Sequence, residues 1–147
     1  LDWTIESEMI DVNVRGFAAM SVVAMNHFQD NGSGHLVGVS SVASYTSTGL
    51  SLTYTASKAF VSNYLEGMRS RAQHSGLPIT VTTVEPGFVD TPMVDWPALW
   101  MAPVDKAVAQ MVKAILKRKN HVFITKRWRL AVWILKFMPR WLLRRFL

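Results

Sequence analysis

Cysteine is absent from this 147-residue chain. Its absence excludes a disulfide framework and thiolate metal sites, and it fits a reducing compartment. Histidine is sparse: His27, His35, His74 and His121 are scattered without ligand spacing, so no metal site is expected. Long apolar runs are missing as well. The longest strictly apolar stretch, Leu130–Leu135, falls far short of the ~20 residues that span a bilayer. The opening residues Leu1-Asp2-Trp3-Thr4 have neither the basic region nor the apolar core of a signal peptide, so none is expected. With 50% hydrophobic and 18% charged residues, global disorder is excluded, and the length suits one domain with a real core.

Acidic residues are missing from one part of the chain only. Residues 106–147 hold twelve Lys/Arg and no acid, whereas residues 1–105 hold four basic residues and all ten acidic ones. The net charge of +6 is therefore a −6 body joined to a +12 C-terminal region. Such asymmetry calls for an anionic partner, a membrane surface or a nucleic acid. Residues 126–147 carry seven Lys/Arg and three Trp. On a helical projection Arg129, Lys136, Arg140 and Arg144 fall near one face, and Pro139 divides the segment into two short helices. The segment reads either as a C-terminal helix packed on the domain or as an amphipathic helix in a membrane interface. No recognised nucleic-acid module accompanies the charge, so no nucleic-acid partner is expected. The expected location is cytoplasmic, with peripheral contact at the inner face of a membrane as the tail's contribution.

Residues 4–29 read as a helix, with Thr4 as its cap and Ile10, Val14, Phe17, Met20 and Met25 as an apolar stripe. Leu36–Ser40 reads as a buried strand after a Gly-Ser-Gly turn, followed by a Ser/Thr/Gly-rich loop. A second helix is predicted over 52–74, and the β-branched run Ile79–Val84 as a second strand ended by Pro86-Gly87. Residues 87–102 are irregular, a third helix runs from about 103 to 119, and 121–125 is a third strand. Alternating helix and strand imply a parallel sheet with helices on its faces. Right-handed crossovers bring the carboxyl ends of all the strands to one edge, where ligands bind in open α/β sheets.

That edge collects the chemistry. Tyr54 and Lys58 are four residues apart on the predicted second helix, so phenol and ammonium share a face. A phenol ionises near pH ~10. A fixed cation beside it favours the phenolate, so a tuned tyrosine can act as a general acid or base at neutral pH. Ser41 follows the first strand, thirteen positions before Tyr54, and Asn13 lies in the first helix, twenty-eight positions before Ser41. Pro86-Gly87-Phe88-Val89-Asp90-Thr91 follows the second strand. Asn13 within Asp-Val-Asn-Val, Ser41 within Val-Ser-Ser-Val-Ala-Ser, Tyr54-x-x-x-Lys58, and Pro86-Gly87 with Thr91 together resemble the short-chain dehydrogenase/reductase family over roughly residues 1–125.

The resemblance implies a Rossmann-like α/β fold, a nicotinamide cofactor (NAD or NADP) and carbonyl reduction or alcohol oxidation on a small-molecule substrate. Tyr54 would exchange a proton with the substrate oxygen. Lys58 would lower the Tyr54 pKa and bind the nicotinamide ribose. Ser41 would hold the substrate oxygen, and Asn13 would anchor a water relaying protons from Lys58. The cofactor contacts would be Tyr54, Lys58, Pro86, Gly87, Val89 and Thr91. The substrate contacts would be Ser41, Ala43, Tyr54 and Phe88. The apolar residues after Thr91 would form a substrate loop suited to a hydrophobic ligand. In the family, the helices matching 4–29 and 52–74 pair in homodimers or homotetramers.

One departure limits the resemblance. The family's opening strand, Gly-rich turn and helix, which hold the cofactor pyrophosphate, have no counterpart here; Gly32-Ser33-Gly34 precedes a strand and is in the wrong context. The expectation is therefore the C-terminal half of a catalytic domain (residues 1–125) followed by a basic amphipathic tail (126–147), weakly active or inactive by itself. A non-catalytic remnant or dimerisation module, membrane-associated through its tail, stays open beside the enzyme. So does a serine hydrolase using Ser40 or Ser41, although the sequence around them lacks the second glycine of a nucleophile elbow.

Overall fold

A computed structural model of the chain describes residues 1–46, 49, 51–94 and 96–139. The element order is α1 (Trp3–Ile10), a π-helical segment (Asp11–Gly16), α2 (Phe17–Asp30), β1 (Gly34–Val39), a 3₁₀ turn (Val42–Tyr45), α3 (Leu52–His74), β2 (Ile79–Pro86), α4 (Val104–Leu116), β3 (His121–Ile124) and α5 (Trp128–Phe137). The three strands form one parallel sheet in the order β1-β2-β3. Gly34 pairs with Ile79 and Val39 with Val84; Thr83 pairs with His121 and Pro86 with Ile124. The fold is the Rossmann-like α/β arrangement expected, with the carboxyl ends of the strands at one edge.

Alternation along β2 divides the molecule into layers. Ile79 and Val81 face α2 and α3, where Met25, Val61, Leu65, Met68 and Ala72 complete a core with Leu36 and Phe17. Val84 faces the other way, packing with Ala107 of α4 and Ile124 of β3. Gly38 is required by the first layer: a Cβ there would lie 2.5 Å from Leu65 Cδ1, so its absence lets α3 press directly on β1. Arg69 fastens the far end of α3 to the sheet. Its guanidinium donates to Val81 O at 3.2 Å, Thr83 Oγ1 at 2.9 Å and Asn120 O at 2.7 Å.

Several boundaries differ from the sequence reading. The first helix begins at Trp3, because Asp2 caps it by accepting from the Thr4 amide at 2.9 Å; Thr4 is not the cap. That helix is also interrupted by the π segment, which contains Asn13 and Gly16, both weak helix formers. A wider turn resets the helical phase. Met25 is therefore buried as expected, while Met20, assigned to the same stripe, is 69% exposed. β1 starts two residues before Leu36, and β2 continues through Pro86, whose missing N–H falls where the ladder ends. Arg129 and Lys136 lie on α5, which ends before Pro139; Arg140 and Arg144 lie outside the described residues.

Candidate functional site

The first turns of α3 and the carboxyl ends of β1 and β2 build the site. Lys58 is half-buried, and its Nζ donates to Val39 O, at the end of β1, at 3.2 Å. The same Nζ lies 5.8 Å from the Tyr54 ring centroid, so cation and phenol share one face of α3. Burial lowers the Lys58 pKa, since an ammonium loses hydration there. Ser41 caps the 3₁₀ turn: its Oγ accepts from the Ala43 amide at 3.1 Å and donates to Pro86 O at 3.4 Å. The turn after β1 is thereby tied to the Pro86-Gly87 turn after β2. Asn13 reaches the site from the π segment, donating through Nδ2 to Ser57 Oγ at 3.1 Å. Ser57 donates in turn to Tyr54 O at 2.8 Å. Asn13 thus touches the residue preceding Lys58, not Lys58 itself.

Beyond Gly87 the chain folds back on itself. Val89 bridges to Ala102, Thr91 donates to Val89 O at 3.3 Å, and Phe88 stacks edge-on with Trp96 and Trp128. Gly87 has no room for a side chain, because the Trp128 indole sits over it. The Trp128 Nε1 proton is buried there with no hydrogen-bond partner among the described residues. Ser41, Ala43, Tyr54, Lys58, Pro86 and Gly87 are therefore gathered at one end of the sheet, while Thr91 and Phe88 are engaged in the folded-back segment.

A second cluster beneath the site was not anticipated from the sequence. Glu85 is 0% exposed. Its Oε2 accepts from the Tyr45 hydroxyl at 2.9 Å and lies 3.0 Å from His121 Nε2; its Oε1 lies 2.7 Å from Ser62 Oγ. Ser62 Oγ is also 2.7 Å from Ser40 Oγ, and Ser40 donates to the Lys58 carbonyl at 2.8 Å. Burial, and then the Glu85 carboxylate, push the Tyr45 phenol pKa up. The legible signal was a lone acid in a β-branched strand: a carboxylate in a buried strand must find partners. The network also bears on the hydrolase alternative, since Ser40 is bound to Lys58 O and Ser62. His121 is on Glu85, His35 on Thr82 and His74 on Ser70 O. Among the described residues, no cluster of three potential metal ligands occurs.

Comparison with known proteins decides the family. The family model for short chain dehydrogenases matches residues 3–99. The chain belongs to the short-chain dehydrogenase family. It is 33% identical over 135 residues to an uncharacterized oxidoreductase of Myxococcus xanthus, covering 90% of this chain and 52% of that protein. A second uncharacterized oxidoreductase, from Mycobacterium tuberculosis, is 33% identical over 141 residues, covering 93% of this chain and 55% of that one. Among solved structures, a short chain dehydrogenase from Burkholderia cenocepacia in complex with NADP superposes with a TM-score of 0.83 at 22% identity. The match covers 99% of this chain and 62% of that one. The chain thus spans about half the length of the curated relatives it matches.

Proposed function

We propose that this chain carries the proton-transfer half of an NAD(P)-dependent oxidoreductase that reduces carbonyls or oxidises alcohols. The observation that carries the reading is the meeting of Ser41, the Tyr54–Lys58 face of α3 and the Pro86-Gly87 turn at the carboxyl edge of the sheet. That edge is where open α/β sheets bind ligands.

The residues present fit one end of a nicotinamide dinucleotide. Tyr54, Lys58 and Thr91 supply a phenol, an amine and a hydroxyl for ribose hydroxyls and a carboxamide, and Pro86, Gly87 and Val89 supply the adjoining turn. The pyrophosphate end finds no match in this chain, which has no glycine-rich turn between a strand and a helix. When bound, such a cofactor gives or takes the hydride at the substrate carbon. The chain's own residues handle the oxygen. The Ser41 hydroxyl holds it and stabilises charge developing there. The Tyr54 hydroxyl gives it a proton in reduction or takes one in oxidation. Lys58 is a nearby cation, 5.8 Å from the Tyr54 ring centroid, and its tether to Val39 O fixes where the amine sits. Asn13, bonded to Ser57, holds the π segment against α3; in this reading it would anchor a water on the path from Lys58 to solvent. Ala43 and Phe88 border the substrate side, and the apolar residues after Thr91 favour a hydrophobic substrate. Association into homodimers or homotetramers belongs to the same reading.

The test is Tyr54→Phe in a full-length enzyme carrying this segment. Loss of cofactor-dependent turnover with an unchanged melting temperature supports the enzyme. Unchanged turnover in the folded variant would contradict the role given to Tyr54.

A further inference from the structure

Helix α5 has two apolar faces. Inward, Trp128 and Val132 are buried with Ala131 against Val42, Tyr45, Phe88 and Phe123, so the helix is part of the folded body. Outward, Leu130, Trp133, Ile134 and Phe137 recur at i, i+3, i+4 and i+7, the spacing of one continuous stripe. They are 46–72% exposed. The Trp133 and Phe137 rings pack on each other at 5.1 Å, so the stripe is a formed surface. An apolar stripe opposite a helix's own core face has no role in holding that helix down.

The surroundings of the stripe decide among occupants. Arg129 and Lys136 run along one flank of α5, and Lys126 lies just before it. With Phe123, Leu130 and Trp133 they line an open groove of about 440 Å³. No acidic residue occurs anywhere from 106 to 147. Two other exposed apolar surfaces stand beside acids. Trp3, Ile5 and Val12 stand among Glu6, Glu8 and Asp11, and Val104, Val108 and Val112 of α4 adjoin Asp105. No helix among the described residues is long and apolar enough to cross a membrane. A Trp-bearing stripe with Lys126, Arg129 and Lys136 on its flank matches an interface that is apolar below and anionic above.

We propose that the outer face of α5 docks on the surface of an anionic lipid bilayer, with Trp133, Leu130, Ile134 and Phe137 entering the headgroup–acyl boundary and Lys126 and Arg129 facing lipid phosphates. The proposal is independent of the catalytic reading and uses none of its residues.

The experiment is flotation of the 147-residue chain with vesicles of phosphatidylcholine, with or without phosphatidylglycerol. Flotation separates bound protein from aggregate. The chain is expected to float with the anionic vesicles only, with a blue-shifted tryptophan emission, and to be released by salt. Trp133→Ser with Phe137→Ser should reduce partitioning by at least tenfold while near-UV circular dichroism keeps its folded signature. Lys126→Glu and Arg129→Glu should each reduce it by about fivefold or more. The proposal is overturned if the wild-type chain does not float, if it floats equally with neutral vesicles, or if the Trp133/Phe137 variant floats unchanged, which would assign binding to the cations of residues 140–147 alone. Dissociation of a wild-type dimer by the same double substitution, without vesicle binding, would assign the stripe to a second copy of the chain and likewise overturn it. Should the double variant lose its folded signature, the Lys126→Glu and Arg129→Glu variants decide, and unchanged flotation of both overturns the proposal.

Discussion

The Tyr45 hydroxyl donates at 2.9 Å to Glu85, a carboxylate with no exposed surface. This bond joins the turn that begins at Ser41 to the strand that ends at Pro86. On its other oxygen Glu85 meets Ser62 of α3, so a single side chain ties together the turn that follows Ser41, the end of β2 and the helix of Tyr54 and Lys58.

Removing this carboxylate should therefore cost more than an ordinary surface substitution. Glu85→Leu strands the half-buried Tyr45 hydroxyl, at about 1–3 kcal/mol, and leaves Ser62 only its contact with Ser40. Denaturant unfolding should show a lower midpoint with an unchanged slope. Glu85→Gln, which keeps an acceptor for Tyr45, should fall between the variant and the wild type.

The same contact predicts a pH dependence. The Tyr45 pKa is raised above its ordinary 10.0 by burial and by Glu85. Above pH 10.0 the unfolded chain loses this proton while the folded chain keeps it, so the contribution is present below that pH and is lost as pH rises beyond it. Ultraviolet titration of the folded chain should show the Tyr45 phenol still protonated above pH 10.0, and Tyr45→Phe should remove that late component. A Tyr45→Phe variant that keeps it would refute the assignment.

Much of this architecture was legible beforehand, and the reasons are local. α3 matched its predicted 52–74 span because Gly76-Leu77-Pro78 stops it. The strands were legible from β-branched runs, although β1 began earlier at Gly34 and β2 ran on through Pro86. The phase change at Asp11–Gly16 was not legible, because a π segment depends on what the widened turn packs against; here Asn13 reaches Ser57, distant in sequence. Clustering of Ser41, Lys58 and Pro86-Gly87 at one sheet edge followed from parallel topology alone. The Glu85 network was hidden because its partners Tyr45, Ser62 and His121 lie on three different elements. The outer stripe of α5 was obscured by counting its cations before knowing which face the body would cover.

Close packing gives a further test. Gly38→Ala places a methyl 2.5 Å from Leu65 Cδ1, and Leu65 is fully buried. The overpacking should cost about 1–3 kcal/mol. Leu65→Ala alone should cost about 2–5 kcal/mol. The double variant should recover part of the sum, because the cavity left by Leu65 accepts the new methyl. Strict additivity in thermal unfolding would contradict the contact.

Gly87→Ala should disturb the turn differently. Its methyl would fall within the Trp128 indole, so α5 must shift. The expected result is a change in tryptophan emission together with a loss of about 1–3 kcal/mol in stability. An unchanged spectrum and midpoint would mean that Trp128 does not sit over the turn.

Proton transfer by Tyr54 is the central claim, and turnover measured by nicotinamide absorbance in a full-length enzyme carrying this segment tests it most directly. Tyr54→Phe should lower kcat by about 10²-fold or more, with the melting temperature retained. Retention of kcat in a folded Tyr54→Phe enzyme would contradict the account.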